Sequence, residues 1–281
     1  MTINEKNWTD KKLTNHYVYL HKYLSDYLFN LKFGSYYSSK LTLESLKKFP
    51  NYNLLEVGIG AGNFFRLLKI NKIFNHYTGA DINENYISLA KELHEYKDFY
   101  LTDENLKKNL EKKYDIVYSR NVALHQTDPY FFINNLINKA RKILIIELKT
   151  RNKGETILDT NYSYQIVDGV LIPYIVLNFN ELKDFLSNHK LCQNSIITIN
   201  REYTILGGKN LRHLEKDLFE KETGGANTTL TINFNSKEET EENEVSQIKF
   251  YETFNHDDKI NKNFKYYLNI FIEKVKRYIN K

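Results

Sequence analysis

The sequence predicts an α/β fold built on a mostly parallel sheet, and three observations carry that prediction. Short apolar runs that read as strands alternate with helix-like amphipathic stretches from about residue 50 to residue 208. The first run, Leu54 to Val57, empties into a turn with glycines at 58, 60 and 62, behind which Phe64, Phe65, Leu67 and Leu68 begin a helix. Residues 142–147 (KILIIE) form a near-continuous apolar run, as a strand covered on both faces requires.

Ahead of the sheet, residues 13–31 carry helical periodicity and many tyrosines. Residues 33–37 (FGSYY) break it, and a second helix over 41–48 runs up to Pro50. After the glycine turn, residues 77–81 (YTGAD) read as the second strand. Asn83 then caps a helix whose Tyr86, Leu89, Ala90 and Leu93 share one face. Residues 99–103 form the third strand and its exit, and residues 114–119 form the fourth, with 120–125 (RNVALH) as its exit. The fifth strand is followed by a long connection, 150–178. It leaves the edge of the sheet where ligands bind in open α/β folds, which makes it a candidate for substrate contacts.

Asn178 with Glu181 has the form of a capping box for a helix over 181–189. Residues 194–199 and 202–206 read as two strands around Asn200-Arg201, a closing antiparallel hairpin, and Gly207-Gly208 marks a boundary. Beyond it, residues 228–234 alternate like a strand, and Glu238 to Glu244 form an acidic run. From Phe264 to Ile279 the apolar residues follow helical spacing, giving that helix one sticky face.

The glycine spacing selects among nucleotides. A dinucleotide turn wants G-x-G-x-x-G, and the position where its third glycine belongs is Asn63. The series Glu56, Gly58, Gly60, Gly62 instead resembles the first motif of class I S-adenosylmethionine-dependent methyltransferases, over about residues 50–208. The resemblance implies a Rossmann-like seven-stranded, mostly parallel sheet with a late antiparallel hairpin. It further implies an N-terminal helical lid (1–50) ahead of a cofactor-binding methyltransferase domain (51–208), and the residues past that match read as a C-terminal α+β extension (209–281) ending in an amphipathic helix. The implied cofactor is S-adenosyl-L-methionine. Glu56 would stand near the amino end of its methionine tail, Asp81 would accept both ribose hydroxyls, and Asp103 would accept from the adenine amino group. Ile82 and Arg120 complete the cofactor-binding set, and Arg120 with Asn121 could equally meet an anionic acceptor. Tyr36 and Tyr37 could reach the methionine tail or the substrate, or pack a helix corner.

Methyl transfer requires aligned acceptor, methyl and sulfur, and a base when the acceptor is a hydroxyl. Of eight histidines, only His125 stands just past a strand at the ligand edge. It is the expected catalytic residue, as base or acceptor-orienting group, and the alternative is a satisfied histidine packing the turn before Asp128-Pro129. Glu147, at the end of the fifth strand, is a second acid–base candidate or an ordinary cap. Residues 128–131 (DPYF) are a first-turn proline behind an Asp cap rather than a base-methylation signature, and Cys192 reads as a small core residue.

A net charge of +5, spread along the chain, gives no basic groove for nucleic acid. A single cysteine allows no internal disulfide and no three-cysteine cluster. Residues 2–12 are polar and no run reaches membrane-span length, so the expectation is a cytoplasmic protein without membrane contact. Its partner would be a small-molecule methyl acceptor, methylated on oxygen or nitrogen, with a sugar hydroxyl as one example. A homodimer through the C-terminal helix, an RNA or protein acceptor, and a non-catalytic partner subunit stay open as alternatives.

Overall fold

The computed structural model describes residues 3–13, 24–73, 75–110, 112–207, 212–214, 218, 221–234 and 248–255. Helix α1 (Asp26–Phe33) ends at the predicted break and α2 (Tyr37–Lys48) follows it. The sheet begins with β1 (Leu54–Val57), α3 (Asn63–Ile70), β2 (Tyr77–Asp81), α4 (Glu84–His94) and β3 (Phe99–Leu101). It continues through β4 (Tyr114–Arg120), α5 (Pro129–Lys139) and β5 (Ala140–Arg151). A short hairpin, β6 (Tyr164–Val167) and β7 (Val170–Pro173), precedes β8 (Leu177–Asn178), α6 (Phe179–Asn188) and β9 (Ile196–Tyr203). The last described strands are β10 (Arg212–His213), β11 (Ala226–Asn233) and β12 (Lys249–Asn255).

The main sheet runs β12-β9-β11-β5-β4-β1-β2-β3, with β8 paired to the end of β5. β11 is antiparallel to both of its neighbours, and every other pairing in this sheet is parallel. The expected mostly parallel sheet is therefore present, with nine strands among the described residues in place of seven and β11 as its antiparallel strand. Side chains alternate across it with the period of two that a pleated strand imposes. Leu54, Ile116, Tyr118, Ile143 and Ile145 face a core closed by α1 to α4. Leu55, Val57, Val117, Leu144 and Ile146 face one closed by α5 and α6. Cys192 is buried in the second core, and burial pushes its thiol up to about 12.

Three sequence expectations change. Residues 196–203 form one continuous strand, not two around a turn at Asn200-Arg201, and its antiparallel partner is β11, from beyond residue 208. The turn-forming pair is overridden because tertiary partners satisfy both side chains. Asn200 donates to Thr253 Oγ1 at 2.9 Å, and buried Arg201 donates to Thr150 Oγ1, Asn152 Oδ1 and the Gly224 carbonyl. The long connection 150–178 holds the β6-β7 hairpin, which with β10 makes a separate three-stranded sheet. Asn178 caps α6 by accepting from the backbones of Asn180 and Glu181, but Glu181 turns away to accept from Tyr130 and the Thr156 backbone. Half of the capping box is made. The helix expected over 264–279 and the acidic run lie outside the described residues, and among these no helix is long and apolar enough to cross a membrane.

Candidate active site

A cavity of about 640 Å³ opens at the C-terminal ends of β1, β2 and β4, beside the glycine turn. All three glycines of that turn have positive φ (81°, 53° and 76° for 58, 60 and 62), which only glycine adopts without steric cost. Space forbids side chains as well. A Cβ on Gly58 would stand 2.1 Å from Val122 Cγ2, and one on Gly62 would stand 2.7 Å from the His94 ring. His94, at the end of α4, is held at the turn through its Nε2, 3.1 Å from the Ala61 carbonyl. A carbonyl only accepts, so that nitrogen carries the proton. Burial lowers this imidazole to about 4, so the ring is neutral.

Asp81 closes the turn from the other side. Its Oδ2 accepts from Gly60 N at 3.0 Å and its Oδ1 from Asn83 N at 3.0 Å, and the Ile82 N–H also acts on the carboxylate. Burial pushes the carboxyl up to about 6, against the pull of these backbone N–H groups. Glu56 lies deeper and accepts from the Tyr77 hydroxyl at 2.5 Å. Burial raises it to about 8, with the Tyr77 hydrogen bond and the Arg120 guanidinium acting the other way. Arg120 itself lies 4.4 Å over the ring of Tyr36 and 5.7 Å over Phe33.

On the far side, residues 123–125 form a single 3-10 turn that carries buried His125. Its Nδ1 lies 2.7 Å from the Pro173 carbonyl and must be the protonated nitrogen. Burial lowers the ring to about 3, so His125 is neutral, with Nε2 as its basic nitrogen. Next to it, Asn121 has φ 57° and donates to Glu147 Oε1 at 3.1 Å, while Ser38 donates to Glu147 Oε2 at 2.5 Å. Glu147 is thus enclosed among side chains and orients Asn121, which lines the cavity; Glu147 does not.

Glu56, Gly58, Gly60, Asp81, Ile82, Asp103, Arg120 and His125 line the cavity as expected, whereas Gly62 does not and instead packs helix against turn. Asp103 sits at the rim, where its Oδ1 accepts from Lys107 and Lys108 backbones. Burial is the largest single influence and raises this carboxyl, but the backbone N–H groups of Lys107, Lys108 and Asn105 together outweigh it, and the carboxyl is lowered. Tyr36 lines the cavity and Tyr37 does not. No residue of the 150–178 connection lines it, so that candidate for substrate contacts works only at one remove, through the Pro173 and Leu171 carbonyls. The sequence reading missed the Glu5–Thr9 turn, which brings Trp8 to the cavity wall. The available signal was the chain's one tryptophan standing in an otherwise polar segment.

A family model described as a methyltransferase domain matches residues 29–177, more than half of the chain. The chain belongs to this methyltransferase family. Among solved structures, it is similar to the plantazolicin methyltransferase BpumL in complex with SAH. The identity is 14% and the TM-score 0.50, over 82% of this chain and 93% of that one. BpumL with a pentazolic desmethylPZN analog and SAH gives the same identity and score, over 82% and 94%. The CurJ carbon methyltransferase aligns at 16% identity and TM-score 0.48, and this chain, 83% covered, spans 62% of its length. Comparison with curated proteins finds no match. The fold is that of a class I methyltransferase, with the glycine turn, Asp81 and His125 of this enzyme placed around one cavity.

Proposed function

We propose that this methyltransferase binds S-adenosyl-L-methionine along the glycine turn and methylates an oxygen or nitrogen of a small molecule held beside His125. The residues fit that cofactor. The turn is bare backbone, Asp81 lines the cavity for two ribose hydroxyls, and Asp103 stands at the rim for the adenine amino group. Glu56, a buried carboxyl that can accept from an ammonium group, and the Arg120 guanidinium would face the two ends of a zwitterionic tail. When bound, the cofactor supplies an electrophilic methyl group on a sulfonium. The observation that carries the reading is the meeting of Asp81 and the bare glycine turn with a neutral, backbone-anchored His125 across one cavity.

The chain's own part in the reaction is alignment and proton removal. The Pro173 carbonyl fixes the His125 tautomer and leaves Nε2 to accept a hydrogen bond from an acceptor hydroxyl or amine and so orient it, while burial makes the ring a weak base. Buried Phe33 and Phe132 and half-buried Tyr36 and Val122 give the cavity an apolar share of wall. The wall residues favour a small or partly planar acceptor.

Calorimetry with S-adenosylmethionine, S-adenosylhomocysteine and NAD, on the wild type and Asp81→Ala, tests the cofactor assignment. Micromolar binding of the first two is expected, weakened on the order of a hundredfold in the variant by loss of two hydrogen bonds to a charged group. Binding of NAD alone, or of nothing, would overturn it. A metabolite screen for methyl transfer then identifies the acceptor.

A further inference from the structure

The chain leaving β4 turns at Asn121, whose φ of 57° lies in the left-handed region. Glycine would take that backbone at less cost, so the side chain has to be accounted for atom by atom. Its main-chain N–H donates to the Glu147 carbonyl at 2.9 Å, and its Nδ2 donates to Glu147 Oε1 at 3.1 Å. Ser38 holds the other carboxyl oxygen of Glu147, donating to it at 2.5 Å. A carboxylate only accepts, so the Asn121 amide must turn its nitrogen to Glu147 and its oxygen away. That oxygen, Oδ1, is buried without a hydrogen-bond partner among the described residues, in a side chain that lines the cavity. A buried acceptor is costly to leave unmet, and one in a ligand cavity calls for a donor on the ligand.

A second acceptor stands on the same loop. The His125 main-chain N–H closes its 3-10 turn on the Val122 carbonyl at 2.9 Å. Its ring proton is on Nδ1, 2.7 Å from the Pro173 carbonyl, so Nε2 is an acceptor that finds no donor among the described residues. The Trp8 ring, 4.8 Å from the imidazole, and the buried rings of Phe33 and Phe132 give the cavity flat apolar walls. A hydroxyl carries one proton and satisfies one of these two acceptors. An NH2 group satisfies both.

We propose that the methyl acceptor is a neutral primary amine on a planar group, an arylamine, with one N–H on Asn121 Oδ1 and the other on His125 Nε2. The two bonds leave the nitrogen lone pair unused and orient it. That pair forms the bond to the methyl carbon as the carbon–sulfur bond breaks and a neutral thioether leaves. The methylated nitrogen, now positively charged, sheds one of its two protons to water. No strong base is needed, which suits an imidazole that burial holds near 3. Glu147 acts through Asn121, as a positioning residue. The inference rests on the proposed cofactor site and names the acceptor that meets it.

Asn121→Gly separates this role from folding, because glycine accepts the left-handed backbone and keeps the main-chain bond to Glu147. Binding of S-adenosylhomocysteine by calorimetry, thermal unfolding, and transfer of labelled methyl from S-adenosylmethionine to aniline and to phenol are compared. In the wild type, kcat/KM for aniline should exceed that for phenol by about tenfold or more. In Asn121→Gly, binding and melting temperature should hold while the aniline value falls on the order of tenfold and the phenol value does not. Glu147→Ala should lower the aniline value likewise, and Glu147→Gln, which keeps an oxygen for Asn121 Nδ2, should restore it. Equal transfer to the two probes, transfer to neither, or an aniline preference that survives in Asn121→Gly overturns the arylamine assignment. Weakened S-adenosylhomocysteine binding in Asn121→Gly would assign Oδ1 to the cofactor and overturn it too. Absence of that binding in the wild type overturns the cofactor site itself.

Discussion

Gly62 and His94 are fitted to each other: a single methyl group on the glycine would stand 2.7 Å from the imidazole. The histidine that excludes the side chain also holds the neighbouring Ala61 carbonyl through Nε2, so the end of α4 is bonded to the cofactor turn. Gly62→Ala should cost about 2 to 4 kcal/mol, combining left-handed backbone strain with overpacking. Gly62→Ala with His94→Ala should recover the steric share but not the strain. Thermal unfolding of the two single variants and the double variant measures the coupling, and a strictly additive pair would show that the contact does not act.

Glu56 trades stability for binding. Its folded-state value, raised by burial to about 8, lies above the ordinary 4.5, so the native state binds its proton more tightly than the unfolded chain. The resulting stability is complete below about pH 4.5 and disappears as pH rises through about 8. Glu56→Gln keeps an acceptor for Tyr77 and removes the penalty, and at neutral pH it should stabilise the fold by up to about 3 kcal/mol. The same variant should lose most of its affinity for S-adenosylmethionine. An unchanged melting temperature at pH 7, with unchanged affinity, would count against both assignments.

Asp81 sets the acid limit of cofactor binding. With its carboxyl raised by burial to about 6, it is ionised above that pH and protonated below it. Lowering the pH from about 7.5 to about 5 should weaken S-adenosylhomocysteine binding roughly tenfold, as one accepting charge is lost. Asp81→Asn, which cannot titrate, should bind weakly at every pH. A pH-independent affinity in the wild type is the contrary result.

His125 should show the opposite split. Burial holds its ring near 3, so it is neutral from about pH 5 upward and turnover at saturating cofactor should not fall with a histidine-like midpoint. His125→Ala should reduce kcat about 10²-fold with an acceptor hydroxyl, the low end of the share of a positioned proton acceptor, because a ring held near 3 orients the hydroxyl more than it deprotonates it. Cofactor affinity should stay unchanged. Near-normal turnover in the variant would reduce His125 to a packing residue between Trp8 and Pro173.

The parallel sheet and the cofactor turn were legible in the chain because their signals are local. Alternating or continuous apolar runs mark β1, β2, β4 and β5, and a backbone that must take positive φ at residues 58, 60 and 62 has to be glycine. Asp81 and His125 were legible for the same reason, since Asp81 ends one recognisable strand and His125 lies in the exit of another. What the sequence could not show was set by partners distant along the chain. Asn200-Arg201 reads as a turn until Thr253, Thr150, Asn152 and Gly224 supply the hydrogen bonds that keep it in a strand. β11 enters the sheet between β5 and β9 only because their edges leave a slot for it. Trp8 reaches the cavity because Asn83, seventy-five residues later, takes its carbonyl. Local periodicity determined the scaffold and the cofactor turn, whereas the wall facing His125 depended on long-range hydrogen bonds that no short window of sequence contains.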